Sequence, residues 1–231
     1  MTRKPFFVGL MLAFAVFTVL FAAEQATDSF FIPATSPETT ITSDSMTIKK
    51  GAVTLIGNVR AISGDKILTS GKATLWRNPD RLLASITPRL YQKESIDAKQ
   101  STRESTLDAL NILWEQSLDR ISASPAVTLK IDEQTWDHAT HTWVVISADS
   151  LEGFRNSNKL NFQGNVRIRD QERSGQGNRL DYDKASSTAI LSGSARVEKD
   201  EWSPKEKRVV KRILTGERIV YDLASKTAES E

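Results

Sequence analysis

The stretch "KLNFQGNVRIRD" (Lys159–Asp170) decides the fold. Leu160, Phe162, Gly164, Val166 and Ile168 recur at every second position. Side chains of a β-strand alternate between its two faces, so these five share one face. A glycine on the apolar face of a strand marks a bulge, a bend or the close approach of another backbone. The same pattern occurs twice more. In "GAVTLIGNVRAISG" (Gly51–Gly64), Val53, Leu55, Gly57, Val59 and Ala61 lie on one face, with Thr54, Asn58 and Arg60 on the other. In "ILSGSARVEK" (Ile190–Lys199), Leu191, Gly193, Ala195 and Val197 keep the same phase. Three glycines in phase point to one geometric requirement met repeatedly along the chain.

A second element repeats around these strands. "RLDYDKASSTAILS" begins at Arg179, and "RIVYDLASKTAESE" begins 39 residues later at Arg218. Leu180 with Tyr182, and Ile219 with Tyr221, share a face of short alternating strands, each followed by a polar turn of small residues. "ITSDS" (Ile41–Ser45) and "ISADS" (Ile146–Ser150) precede the first two glycine-centred strands. Each unit buries its apolar face only by stacking on its neighbours, as in repeat proteins. The second copy stops where the next glycine-centred strand is due, so the terminal rung is expected to lack a partner.

Between Asn78 and Val145 the repeat is interrupted. Leu107, Leu110, Trp114, Leu118 and Ile121 are spaced by three and four, and Ser101 with Glu104 fits a capping box. This predicts one inserted amphipathic helix over about 97–122. Val127, Leu129 and Ile131 then resume the alternation.

At its start the chain carries Arg3 and Lys4 before "FFVGLMLAFAVFTVLFAA" (Phe6–Ala23), 18 residues without a charge. A basic flank, an apolar run and small residues at its end read as a signal peptide over 1–23. An uncleaved helical membrane anchor is the alternative, because the run exceeds the usual signal core of roughly 7–15 residues. Residues 24–40, with Pro33 and Pro37, read as a linker, and 41–231 as the folded domain. Losing Arg3 and Lys4 from the 31 basic residues leaves 29 against 29 acidic ones, so nucleic acid is not an expected partner. The basic cluster "SPKEKRVVKR" (Ser203–Arg212) reads as a solvated hairpin tip.

No catalytic set stands out, and no cofactor is expected. The absence of cysteine removes disulfides, thiolate metal sites and a cysteine nucleophile. His138 and His141, in "WDHATHTW", would face opposite sides of a strand and have no third histidine to complete a zinc set. Asp181 and Asp183 are read as outward and solvated. The inner face itself remains. It fills a closed core in an exported structural or adhesive β-solenoid, or it lines a groove for acyl chains if the sheets splay apart.

"ISADS" with "LNFQGNVRIRD", followed by "GNRLDYD", "ILSGSARV" and "LTGERIVYD", resembles the OstA-like domain of the LptA-type periplasmic lipopolysaccharide-transport family. The likeness spans 146–231 and, less fully, 41–77. It implies an all-β fold: a jellyroll of stacked antiparallel strands, open like a V, whose interior carries the acyl chains of lipid A. The implied location is the periplasm. The implied partners are lipopolysaccharide and other jellyroll proteins of the same kind joined edge to edge, with self-association a further form. The positions carried over as lipid-binding are Val53, Leu55, Val59, Leu160, Phe162, Val166, Ile168, Leu180, Tyr182, Leu191, Val197, Ile219 and Tyr221. An inserted helix is not a feature the family implies.

Overall fold

The structure is a computed structural model. It describes residues 40–230 apart from 78–79, 97–99, 116–117, 119, 155–156 and 224–226. The segments read as leader and linker therefore lie outside the described residues, except Thr40, which opens the first strand. No described helix is long and apolar enough to cross a membrane.

The described chain is antiparallel β-structure throughout. Its strands are β1 (Thr40–Thr42), β2 (Ser45–Lys49), β3 (Ala52–Ser63), β4 (Lys66–Arg77), β5 (Asp80–Ser85), β6 (Arg89–Ile96), β7 (Ser101–Asp108), β8 (Asn111–Glu115), β9 (Arg120–Ser124), β10 (Val127–Thr135), β11 (His141–Ala148), β12 (Ser150–Phe154), β13 (Lys159–Asp170), β14 (Arg173–Asp183), β15 (Thr188–Ser203), β16 (Arg208–Asp222) and β17 (Thr227–Ser230). Strand pairing divides them into two leaves joined along a seam.

In the first leaf, β1 lies against the end of β3, followed by the start of β4, then β6, β7, β10, β11, the end of β13, the start of β14, the end of β15 and the start of β16. In the second leaf, β2 lies against the start of β3, followed by the end of β4, then β5, β8, β9, β12, the start of β13, the end of β14, the start of β15, the end of β16 and β17. Six long strands run through both leaves. Elsewhere two short strands meet at the seam.

The glycines explain how a strand crosses the seam. Gly57, Gly164 and Gly193 have φ of 77°, 77° and 74°, and the residues that follow, Asn58, Asn165 and Ser194, are also left-handed. The pairing register slips at each of these points. Such a backbone suits glycine because it carries no Cβ. The "SDS" and "ADS" elements complete the bend. The amides of Asp44 and Asp149 donate to the carbonyls of Gly57 and Gly164, each at 2.9 Å. Their carboxylates accept from Asn58 and Asn165 at 2.9 and 2.8 Å.

The inserted helix is absent. Residues 101–108, 111–115 and 120–124 are strands β7, β8 and β9. The five residues with helical spacing do not share a face: Leu107, Trp114 and Ile121 are buried, whereas Leu110 and Leu118 are 54% and 55% exposed. Alternation in β7 is masked because its inward positions include Ser101, Arg103 and Ser105, all buried. Ser101 is no helix cap; its hydroxyl donates to Glu133 Oε1 at 3.1 Å. Polar residues facing inward remove the hydrophobicity contrast by which strand periodicity is recognised.

The terminal rung is half filled. β17 pairs with Ile219–Asp222 at the end of β16. Among the described residues the start of β16 has β15 as its only strand neighbour.

Candidate functional site

The interior is built from ladders of inward side chains that run from strand to strand. In the second leaf, the row nearest the seam passes through Leu55, Ala73, Ala84, Ile112, Ala123, Leu151, Phe162, Leu180, Leu191 and Ile219. Farther from the seam, a parallel row passes through Val53, Leu75, Leu82, Trp114, Ile121, Gly153, Leu160, Tyr182, Ala189 and Tyr221. In the first leaf, Leu68, Leu90, Leu107, Leu129, Ile146, Ile168, Gly175 and Val197 form the matching row. Each row needs only the period-two alternation of its strands and a constant register.

All thirteen positions named from the sequence face this interior. Phe162, Leu180, Leu191, Ile219 and Tyr221 have no exposed surface, and Leu55, Val59, Val166, Ile168, Tyr182 and Val197 are buried as well. Val53 and Leu160 are half-buried. Most belong to one cluster spanning both leaves, with Leu55 and Val59 in a smaller one at the first rungs. The leaves are therefore not splayed as the resemblance implied. Both inner faces are apolar, and packing them together removes them from water.

Away from the seam the leaves meet along a second edge, and here the interior turns polar. Tyr221 Oη donates to Asp170 Oδ2 at 2.6 Å, joining the second leaf to the first. Arg173 Nη2 donates to the same oxygen at 3.1 Å, and its guanidinium lies 4.2 Å above the Tyr221 ring. Lys184, in the turn after β14, pairs with Glu94 of β6. Arg103 pairs with Glu133 at 2.9 Å, both in the first leaf. A cleft of about 260 Å³ opens among these groups, lined in part by Arg103, Glu133, Asp170, Tyr182 and Leu223.

These surroundings shift the titrating groups. Burial pushes Tyr182 up to about 12. Burial, then the bond to Asp170, raises Tyr221. Burial works to raise Asp170 too. The Tyr221 hydroxyl, the amides of Glu172 and Arg173 and the Arg173 charge outweigh it and hold the carboxyl below its ordinary value.

The polar edge is absent from the sequence reading. Its signal was the string of charged residues "DQER" (Asp170–Arg173) and Lys184 at strand ends, which local reading assigns to solvent. His138 sits in the turn after β10 and His141 opens β11, as the polar-turn reading requires. Asp181 lies on the outer face, bound by Arg179 at 2.8 Å. Among the described residues, no group of three or more histidines, aspartates and glutamates is placed to hold a metal ion.

No protein-family model matches the chain, and no curated protein matches it. Among solved structures it is similar to that of LptH, the LptA homologous periplasmic component of the conserved lipopolysaccharide transport device from Pseudomonas aeruginosa. The two share 11% sequence identity and a TM-score of 0.36, over 76% of this chain and 94% of that one.

Proposed function

We propose that the chain is a non-enzymatic periplasmic carrier of lipopolysaccharide. It takes the acyl chains of lipid A between its leaves and passes them along a bridge of similar β-proteins, joined edge to edge, from the inner to the outer membrane. One observation carries this reading: among the described residues an apolar interior runs along the stack, covalently continuous at the seam and held at its other long edge by side chains. That edge is polar and the interior apolar, which matches the two ends of an amphiphile.

The cleft of about 260 Å³ falls below the roughly 300–1,000 Å³ of an ordinary small-molecule site, so loading requires the polar edge to open. Its cross-leaf contacts, at about 0.5–3 kcal/mol each, oppose opening by several kcal/mol. Burying a twelve-carbon chain contributes on the order of 10 kcal/mol, at roughly 0.8 per CH₂. An inserted chain also takes the place of the apolar contacts that the two inner faces lose when they part. Among the described residues the outer edges of β1 and β2 at one end, and of the start of β16 and β17 at the other, have no strand beside them, and such edges supply the means of joining another β-protein.

The second reading is a closed-core structural or adhesive β-solenoid. It is favoured by the complete burial of Phe162, Leu180, Leu191, Ile219 and Tyr221. Photo-crosslinking separates the two. A photoreactive residue is placed at Phe162, Val166 or Tyr182, with outward, exposed Arg167 as control. The carrier gives lipopolysaccharide adducts from the three inward sites and not from the control. A folded, exported protein that captures no lipid at any site is a closed solenoid.

A further inference from the structure

The two longest strands end in a feature that the interior does not use. β15 and β16 have 16 and 15 residues. β14 pairs with β15 no farther than Arg173 opposite Lys199. From Asp200 to Lys211 the hairpin is therefore a two-stranded ribbon, with no third strand beside it among the described residues. It leaves the body next to the polar edge and, at about 3.3 Å per residue, projects on the order of 13 Å before its turn.

The ribbon carries its apolar surface at the tip. Trp202 stands directly opposite Val209, and they are 59% and 60% exposed. Behind them on the same face come Asp200 opposite Lys211, then Glu198 opposite Ile213. Ser203–Arg212 holds five basic residues and one acid. Arg208, Lys211 and Arg212 are engaged by Glu206, Glu198 and Glu201 at 2.7, 2.9 and 2.6 Å. Lys205 and Lys207, in the turn, make no ion pair among the described residues.

We propose that this hairpin tip is a contact for an anionic lipid surface. An indole with an aliphatic neighbour is suited to the headgroup boundary of a bilayer, where tryptophan is enriched. Cations just beyond it are drawn to anionic headgroups. Charge complementarity selects this occupant: an uncharged or cationic partner would leave Lys205 and Lys207 unmatched. The Trp202–Val209 pair also stabilises the ribbon, but that role does not require a basic turn around it. The inference stands whether the interior carries lipid or is closed.

The chain has no cysteine, so a single introduced thiol reports one place. The full chain with Ser203→Cys carries a solvatochromic fluorophore, and Gln163→Cys on the outer face of the second leaf is the control. Each is titrated with vesicles of phosphatidylcholine alone or mixed equally with phosphatidylglycerol. The expected result is a blue shift at position 203 only, with the anionic vesicles only, reversed by salt. Lys205→Glu with Lys207→Glu lowers the apparent affinity at least about fivefold, and Trp202→Ser weakens it too. The ribbon lies outside the core, so an unchanged thermal melt shows that these variants fold. The proposal is overturned by no shift at 203, by equal shifts at both sites, by equal response to neutral vesicles, or by a shift that charge reversal leaves intact. Capture of an acidic protein by a tip that ignores vesicles overturns it as well.

Discussion

Tyr221 and Asp170 lie 51 residues apart in the chain and 2.6 Å apart in space, hydroxyl to carboxylate. Their bond ties the end of β16 in one leaf to the end of β13 in the other, with Arg173 stacked on the tyrosine ring and bonded to the same oxygen. Where the other long edge of the interior is a continuous backbone, this one is held by side chains.

Tyr221→Phe keeps the ring under Arg173 and removes only the hydroxyl. Asp170 then loses one of its partners, and stability falls by about 1–3 kcal/mol. Urea denaturation measures this as a lower midpoint at unchanged slope. The carrier reading adds that this variant captures more lipid through a crosslinker at Phe162. A closed solenoid becomes less stable and still captures none.

The tyrosines define the alkaline limit. Tyr182 is 4% exposed and its phenol is raised from about 10 to about 12. A raised folded value means that the contribution to stability is complete below pH 10 and is lost as pH climbs towards 12. The amount is about 3 kcal/mol. Tyr91 and Tyr221 are raised as well. A tyrosinate absorbance titration of the folded protein is therefore expected to rise later than that of the unfolded chain, with the Tyr182 share appearing together with the loss of β-sheet circular dichroism.

Asp170 sets an acid limit of opposite sign. Its folded value is depressed. Its contribution is present above the ordinary carboxylate value near 4 and is lost as pH falls below it. Asp170→Asn flattens that acid dependence in a denaturation series from pH 5 to about pH 2.

Gly164 and Gly51 share a φ of 77° but differ in surroundings. A Cβ on Gly164 would lie 2.3 Å from Asp149 Oδ2, whereas one on Gly51 meets nothing within 4 Å. Gly51→Ala costs only the left-handed strain, about 1 kcal/mol. Gly164→Ala also displaces the carboxylate that binds Asn165, and roughly 2 kcal/mol more is expected. Thermal melts of the two variants side by side give the difference directly.

Leu107 and Leu110 distinguish a strand pair from a helix in the inserted segment. On a helix both would face inward. In the fold, Leu107 is fully buried and Leu110 is 54% exposed at the turn between β7 and β8. Leu107→Ala is expected to cost about 2–5 kcal/mol. Leu110→Ala stays within about 0.5 kcal/mol. Equal losses from both would restore the helix.

The strands, the inner face and the bends were written locally. Alternation is a property of the extended backbone, so Leu160, Phe162, Val166 and Ile168 declare their common face without any neighbour. The paired phrases Asp44 with Gly57–Asn58 and Asp149 with Gly164–Asn165 repeat because β3 and β13 cross the seam through the same left-handed bend. What the segment from Ser101 to Ser124 becomes was a tertiary decision. Its buried Ser101 and Arg103 are tolerated inside because Glu133 arrives from another strand, and no local pattern announces it. The polar edge is tertiary for the same reason. Asp170, and Lys184 and Glu94 at a separation of 90 residues, look like surface residues until stacking brings Asp170 to Tyr221 and Lys184 to Glu94. Whether the two apolar faces close or part also belongs to that level, since the same residues serve a core or a groove and only the distance between the leaves distinguishes them.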